Sequence, residues 1–179
     1  SADYKKYFDE LMQVWDQELQ YLPELNKKLK TPVSAAKELG DKAVDYIQFA
    51  PNVDVNQAYQ WLKESVDAEK GNSKGAVLNF FMDMSMRKVK ADTNHTEQFF
   101  QDYVNASQYI DEAIATEAKP NVKKTLEMVK ENLVAMFVNS GVADCESLQN
   151  IYGPKVEANQ TDSTFLKKAI SVLKMMKCT

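Results

Sequence analysis

The chain has 179 residues, of which 44% are hydrophobic and 27% are charged, and its net charge is −4. This length suits one domain, or a short array of repeats that share a core, and the composition is that of an ordered globular chain. Arg87 is the only arginine, and an acidic balance with one arginine argues against nucleic-acid binding. No apolar run reaches the roughly 18 residues of a membrane span, and the first residues lack the apolar region of a signal peptide, so we expect none within this chain.

Apolar residues recur at three- and four-residue spacing from the start of the chain, which predicts amphipathic helices. The first helix is predicted over 3–22, with Pro23 ending it, because proline lacks the backbone donor that a helix needs. Thr31 is the predicted cap of the second helix, and Pro32 is expected in its first turn. Pro51 is expected to close this second helix.

The middle of the chain predicts four further helices and no strand. The third is expected over 54–71, with Asp54 at its start, and the fourth over 72–90. The fifth and sixth are expected over 96–118 and 120–141. Short polar connections separate them, as in antiparallel helical hairpins.

The last part of the chain carries Gly-Pro inside an amphipathic run. The seventh helix is predicted to begin at Asp144 and to bend at Gly153 and Pro154. A polar turn over 159–162 is expected next, and the eighth helix opens at Asp162 or Ser163. Eight helices with short connections predict four consecutive hairpins.

The segment "NQAYQWLKESVDAEKGNSKGAVLNFF" has the pattern of a tetratricopeptide-repeat hairpin, with Ala58 where two helices approach closely and Leu62 in the seam. Residues 143–179, together with "GNSKGAVLNFFM" and "DYVNASQYIDEAI", resemble the amino-terminal part of exported tetratricopeptide-repeat (TPR-like) proteins of Bacteroidetes-type bacteria. The resemblance covers most of the chain and is strongest over 143–179. The chain departs from that family at Gln160, near which members often have proline.

The resemblance implies an all-α fold: a right-handed array of about four TPR-like antiparallel helical hairpins, forming an α-α superhelix. Residues 1–179 are then a single helical-repeat domain, and the chain is expected to be the amino-terminal fragment of a longer protein. The family implies export, so we expect the periplasm or cell envelope. It implies no defined biochemical activity.

Two cysteines, Cys145 and Cys178, are expected at the start of the seventh helix and the end of the eighth. If these helices are antiparallel, both cysteines lie at one end of the hairpin, where a Cα separation of roughly 6 Å allows a disulfide. The even count and the positions favour this bridge. A pair of free thiols is the alternative.

No motif for phosphate binding, nucleophilic catalysis or a zinc site is present, and His95 is expected in a polar loop separate from both cysteines. Met82, Met84 and Met86 alternate, which could suggest a soft metal. Residues two apart point to different faces of a helix, so we interpret them as core filler. We therefore predict no enzyme, no metal site and no cofactor.

The predicted fourth helix carries one polar stripe. Asn79, Asp83 and Arg87 follow one another at i, i+4 and i+8, so they share a helix face. If this helix lines the concave side of the array, Arg87 could pair with a partner's carboxylate and Asn79 with backbone groups. The alternative is a solvent-exposed ion pair worth about 0.3 to 0.5 kcal/mol and without a function.

These observations predict a noncatalytic protein-protein interaction scaffold that presents a groove to a protein or peptide. The alternative is a capping segment that covers the core of following TPR repeats. An acid-based hydrolase is a third and weaker hypothesis. Asn94, Asn105 and Asn159 match the N-glycosylation pattern, and the sequence alone assigns them no modification.

Overall fold

This computed structural model describes residues 2–142 and 145–158, and seven single positions beyond them: Asp162, Ser163, Leu166, Lys167, Ile170, Lys174 and Cys178. Over these residues the chain is all-α, without strands. The α-helices are α1 (Ala2–Asn26), α2 (Ala35–Phe49), α3 (Val55–Glu69), α4 (Gly75–Ala91), α5 (Thr96–Thr116), α6 (Pro120–Val138) and α7 (Cys145–Ala158). Short 3₁₀ turns, Lys70–Asn72 and Thr93–His95, precede α4 and α5.

Helix α1 continues past the predicted stop at Pro23, so that prediction is wrong. Proline removes only one backbone donor, and here its ring is exposed. Leu22 is buried, and Asn26 holds the following loop by donating to the carbonyl oxygen of Val33 and accepting from its backbone N–H. These contacts stabilise the last turn more than the missing bond weakens it.

Helix α2 begins later than predicted. Its N-cap is Ser34, whose Oγ accepts a hydrogen bond from the backbone N–H of Lys37 at 3.2 Å. Thr31 and Pro32 therefore precede the helix, and their predicted roles as cap and first-turn residue are wrong. A serine at the N-cap satisfies one of the free N–H groups of the first turn.

Other boundaries agree with the sequence. Asp54 caps α3 by accepting from the backbone N–H of Gln57, and α2 ends just before Pro51. Pro120 is the first residue of α6, where its missing donor costs nothing. Gly141 follows α6 with φ +67°, a left-handed conformation that glycine adopts without strain.

Each helix from α1 to α5 packs against the next one in the chain. In addition, α2 contacts α4, and α4 contacts α6. The core is centred on α3, α4 and α5, where Met82 and Met84 are fully buried and Met86 is partly buried. The interpretation of these methionines as core filler is thereby confirmed.

An aromatic cluster joins α5, α6 and α7. The ring of Phe137 on α6 stacks on Tyr103 and Phe99 of α5, with centroids 4.2 and 5.5 Å apart. Phe100 meets Phe137 edge-on and contacts Tyr152 of α7. These buried rings attach α7 to the core.

Polar contacts attach α1 to α2. Lys42 Nζ lies 2.6 Å from Asp16 Oδ1 and 4.3 Å from the ring centroid of Trp61. Trp15 Nε1 donates to Asp45 Oδ2 at 2.7 Å. The ammonium group of Lys42 is thus held between a carboxylate and an aromatic face, which offsets the cost of its burial.

Cys145 and Cys178 lie at disulfide distance, as the predicted pairing requires, with Cα atoms 5.3 Å apart. Helix α7 runs through Gly153 and Pro154 without interruption. The predicted start at Asp144, most of the polar turn over 159–162 and most of the eighth helix lie outside the described residues. No described helix combines the length and apolarity needed to cross a bilayer.

Candidate functional site

The predicted polar stripe lies on the outer side of α4. Asn79 Oδ1 accepts a hydrogen bond from Asn132 Nδ2 of α6 at 3.0 Å. Asp83 and Arg87 form two parallel contacts, Nε to Oδ1 and Nη2 to Oδ2, each 3.4 Å long. The Arg87 side chain is 52% exposed, so this ion pair is loose and open to solvent.

Two cavities adjoin the stripe. One, of about 290 Å³, lies between α4 and α6 and is lined by Asn79, Asp83 and Asn132 among others. The other, of about 380 Å³, lies where α4 ends, and Arg87 and His95 are among its lining residues. The ion pair joins a lining residue of the first cavity, Asp83, to a lining residue of the second, Arg87.

The second cavity carries two cations on one wall. Beside Arg87 lies Lys88, whose Nζ is 4.6 Å from the ring centroid of Tyr59. Asp92 adds a negative charge to the lining, and its carboxylate accepts a hydrogen bond from the backbone N–H of Asn94. The lining is thus polar and mixed in charge.

A buried carboxylate lies behind this cavity. Asp102 of α5 is 0% exposed, and three donors surround it. The hydroxyl groups of Tyr59 and Ser85 both donate to Oδ2 at 2.6 Å, and Gln98 Nε2 donates to Oδ1 at 2.8 Å. A carboxylate with three donors is well solvated by protein, which makes its burial tolerable.

His95 connects the cavity to this buried cluster. Its Nε2 lies 3.0 Å from Ser85 Oγ and 3.7 Å from Asp102 Oδ2. Because the single hydroxyl proton of Ser85 is donated to Asp102, Ser85 must accept from His95, so Nε2 carries the proton. Desolvation by burial lowers the pKa of His95 below its ordinary value, which favours the neutral ring.

Serine, histidine and aspartate here do not have the geometry of a hydrolase triad. In a triad the imidazole stands between the hydroxyl and the carboxylate and accepts the hydroxyl proton. Here the Ser85 hydroxyl donates directly to Asp102, and Ser85 is 0% exposed. The cluster therefore joins α3, α4, α5 and the second 3₁₀ turn rather than presenting a nucleophile.

The polar stripe follows from the sequence, whereas the buried cluster around Asp102 is not among the predicted sites. His95 lies in a polar turn, as predicted, but its ring contacts the core, 5.1 Å edge-on from Tyr59. The sequence does contain an indication of this cluster. Asp102 shares its helix face with Phe99 and Ala106, so an acidic residue lies on an apolar face. Such a residue requires buried partners.

Among the described residues, no group of three or more histidine, cysteine, aspartate or glutamate side chains could hold a metal ion. Comparisons with protein-family models, curated proteins and solved structures gave no match to this chain. The geometry of α4 and its two cavities is therefore the basis on which a function can be proposed.

Proposed function

We propose that this chain is a noncatalytic protein-protein interaction scaffold that presents the outer face of α4 as a groove for a protein or peptide. The observation that carries the proposal is the position of Asn79, Asp83 and Arg87, which line two cavities along one helix. Four residues of helix rise about 6 Å, close to the roughly 6.6 Å between alternate residues of an extended strand. An extended peptide can therefore meet successive stripe residues with alternate side chains.

The chemistry of the stripe suits a peptide. The paired amides of Asn79 and Asn132 offer a donor and an acceptor to a peptide backbone. The contacts of Arg87 to Asp83 are longer than the roughly 2.8 Å of a strong charge-assisted bond. A carboxylate of the partner can therefore approach Arg87 more closely than Asp83 does, and it can replace Asp83 in the ion pair.

We further propose that the helices form a right-handed TPR-like array of four hairpins, as in the amino-terminal region of exported proteins of Bacteroidetes-type bacteria. The packing of each helix from α1 to α5 on the next, with added contacts of α2 to α4 and of α4 to α6, supports this arrangement. In stacked hairpins, alternate helices form a second set of neighbours. Cysteines at disulfide distance support export to the periplasm or cell envelope.

The partner is to be sought by affinity capture from envelope extracts, with the wild-type chain and the Arg87→Glu variant as baits. Reversing the charge at Arg87 should repel a carboxylate of the partner, so we expect recovery of a specific protein to fall at least tenfold. The matched control is Lys27→Glu, which reverses an exposed cation that is also ion-paired, to Glu24 on α1. Captured proteins are identified by mass spectrometry.

An Asn79→Ala and Asn132→Ala pair tests the other half of the groove, because it removes the amide pair without changing charge. Weaker capture by this variant and by Arg87→Glu, with unchanged capture by Lys27→Glu, supports the groove. Equal recovery by all four chains excludes α4 as the contact surface. Recovery of no protein by the wild type contradicts the scaffold and favours a capping segment.

A further inference from the structure

Asn94 lies in the exposed 3₁₀ turn Thr93–His95 that joins α4 to α5, and it begins the tripeptide Asn94-His95-Thr96. An asparagine two residues before serine or threonine is the acceptor pattern for N-linked glycosylation. The backbone N–H of Asn94 donates to Asp92 Oδ1. The turn is therefore stabilised by the side chain of Asp92 and not by that of Asn94.

The second described match to this pattern, at Asn105, has a different environment. Asn105 lies in the middle of α5, is half-buried, and accepts a hydrogen bond from Gln101 Nε2 at 3.2 Å. A bulky glycan there would compete with the neighbouring helices for space. Asn159, the third match, lies outside the described residues.

We propose that Asn94 is an acceptor site for N-linked glycosylation. In the transfer, the amide nitrogen of Asn94 forms a bond to the anomeric carbon of a lipid-diphosphate-linked oligosaccharide. The bond from that carbon to the diphosphate oxygen breaks, the lipid diphosphate leaves, and the amide loses one proton to a base. The oligosaccharide donor and the transferase are the only other reactants.

The timing of the modification follows from Thr96. In the folded chain its hydroxyl donates to the carbonyl oxygen of Thr93 at 2.6 Å, so it is occupied. The hydroxyl is free for a transferase only before this turn closes. Glycosylation then precedes folding, and the folded chain has to accommodate the product, which the exposed side chain of Asn94 allows and the half-buried Asn105 opposes.

Cysteines at disulfide distance agree with this proposal. Disulfides form on the non-cytosolic side of a membrane, in compartments where chains can also meet such transferases. Asn94 also lines the cavity beside Arg87 and Lys88, so a glycan there would compete with a partner that reaches Arg87.

The test is expression of the full chain and its variants in the native host and recovery from the native compartment, followed by peptide mapping with and without an amidase that releases N-glycans and converts the asparagine to aspartate. We expect a glycan at Asn94 that is lost in Asn94→Gln and Thr96→Ala and retained in Thr96→Ser. Asn105→Gln is the matched control and should leave the occupancy of Asn94 unchanged. Circular dichroism of each recovered variant checks folding.

Absence of a glycan at Asn94 in recovered, folded chain overturns the proposal, whatever is found at Asn159. A glycan at Asn105 in folded chain overturns the argument that burial in α5 opposes modification there. Retention of the Asn94 glycan in Thr96→Ala would also contradict the proposed acceptor site, because the threonine hydroxyl would then play no part in recognition.

Discussion

The side chain of Asp102 shows how one buried charge organises four segments of this chain. Its donors come from α3, α4 and α5, and His95 reaches the same cluster from the turn between α4 and α5. Hydrogen bonds to a charged group contribute about 1.5 to 3 kcal/mol each, more than neutral ones. Removing a donor also leaves a buried lone pair unsatisfied.

Ser85→Ala is expected to lower the free energy of unfolding by about 1.5 to 3 kcal/mol, because it removes the hydroxyl that donates to Asp102 and accepts from His95. Urea denaturation followed by circular dichroism measures this change. Ser34 is not a suitable control, since it caps α2, whereas Ser163 is exposed and serves as one. A loss no greater in Ser85→Ala than in Ser163→Ala would contradict the described network.

The pKa of His95 predicts a loss of stability in mild acid. Burial lowers this pKa in the folded chain, while the unfolded chain takes up a proton near the ordinary value of 6.5. Nearby Lys88 also lowers it, and Asp102 opposes both effects. The unfolded state therefore binds more protons below about pH 6.5, so stability is fully present above that pH and declines as the pH falls toward the folded pKa.

Because His95 is the only histidine, its ring signals in a nuclear magnetic resonance titration report this pKa directly. Urea denaturation between pH 7.5 and 5.5 measures the stability change, with His95→Gln as the control that keeps a nitrogen donor for Ser85. The decline should be smaller in that variant. An identical decline in both chains would assign the effect to carboxylates instead.

At the scale of elements, Gly40 sets the distance between α2 and its neighbours. A Cβ atom at this position would lie 2.5 Å from Ser65 Oγ of α3 and 3.2 Å from Val77 Cγ2 of α4. Three helices therefore approach closely at one point, where only glycine fits without movement. The contact also explains how α2 reaches both α3 and α4.

Gly40→Ala is expected to destabilise the chain, although alanine is the better helix former by about 1 kcal/mol. Overpacking costs typically 1 to 3 kcal/mol, so we expect a net loss of about 1 kcal/mol in denaturation experiments. The double variant Gly40→Ala, Ser65→Ala should recover part of it, because the nearest clashing atom is removed. Equal or greater stability of Gly40→Ala would show that the helices separate freely here.

The sequence predicts that each described helix exists, whereas two helix boundaries differ from the prediction. The apolar spacing predicts each described helix, and Asp54 and Pro120 mark their starts correctly. The continuation of α1 past Pro23 requires the pairing of Asn26 with Val33, which no local pattern indicates. Serine and threonine are both favoured N-caps, with serine preferred, so Ser34 was the better local choice over Thr31.

Only part of the candidate site could likewise be predicted from the sequence. The stripe on α4 follows from helical spacing alone, because its residues belong to one element. Asn132 could not be assigned to it, since that requires knowing which face of α6 packs on α4. The position of Asp102 on an apolar helix face predicts that it is buried, but it does not identify the donors. One of them, Tyr59, is 43 positions away in the chain.

At the scale of the whole molecule, the disulfide closes a long loop of chain. Cys145 and Cys178 are 33 positions apart. Under the chain-entropy model, such a crosslink contributes roughly 3 to 4 kcal/mol by restricting the unfolded state. Because α7 is attached to the core through Tyr152, the bridge ties Cys178 to the same body.

Reduction is expected to lower the free energy of unfolding by roughly that amount, measured by urea denaturation with and without a thiol reductant. The Cys145→Ser, Cys178→Ser variant is the control, and its stability should not respond to the reductant. Maleimide labelling of unfolded, unreduced chain taken from its native compartment should find no reactive thiol. Two reactive thiols would contradict the bridge.

Helix α1 is expected to detach from the rest of the molecule before the core helices unfold. Leu22 is the buried residue of this helix, and Tyr7, Val14 and Tyr21 are more than half exposed. Phe8 packs on Tyr46 of α2, but Leu22 is the one fully buried side chain of α1, so this helix has less apolar area to lose on detachment than α4. The amides of α1 should therefore exchange with deuterium before those of α4, and limited proteolysis should first cut the 27–34 connection. A detached α1 could also pack on α2 of a second molecule. The weak packing of α1 therefore provides a route to domain-swapped dimers.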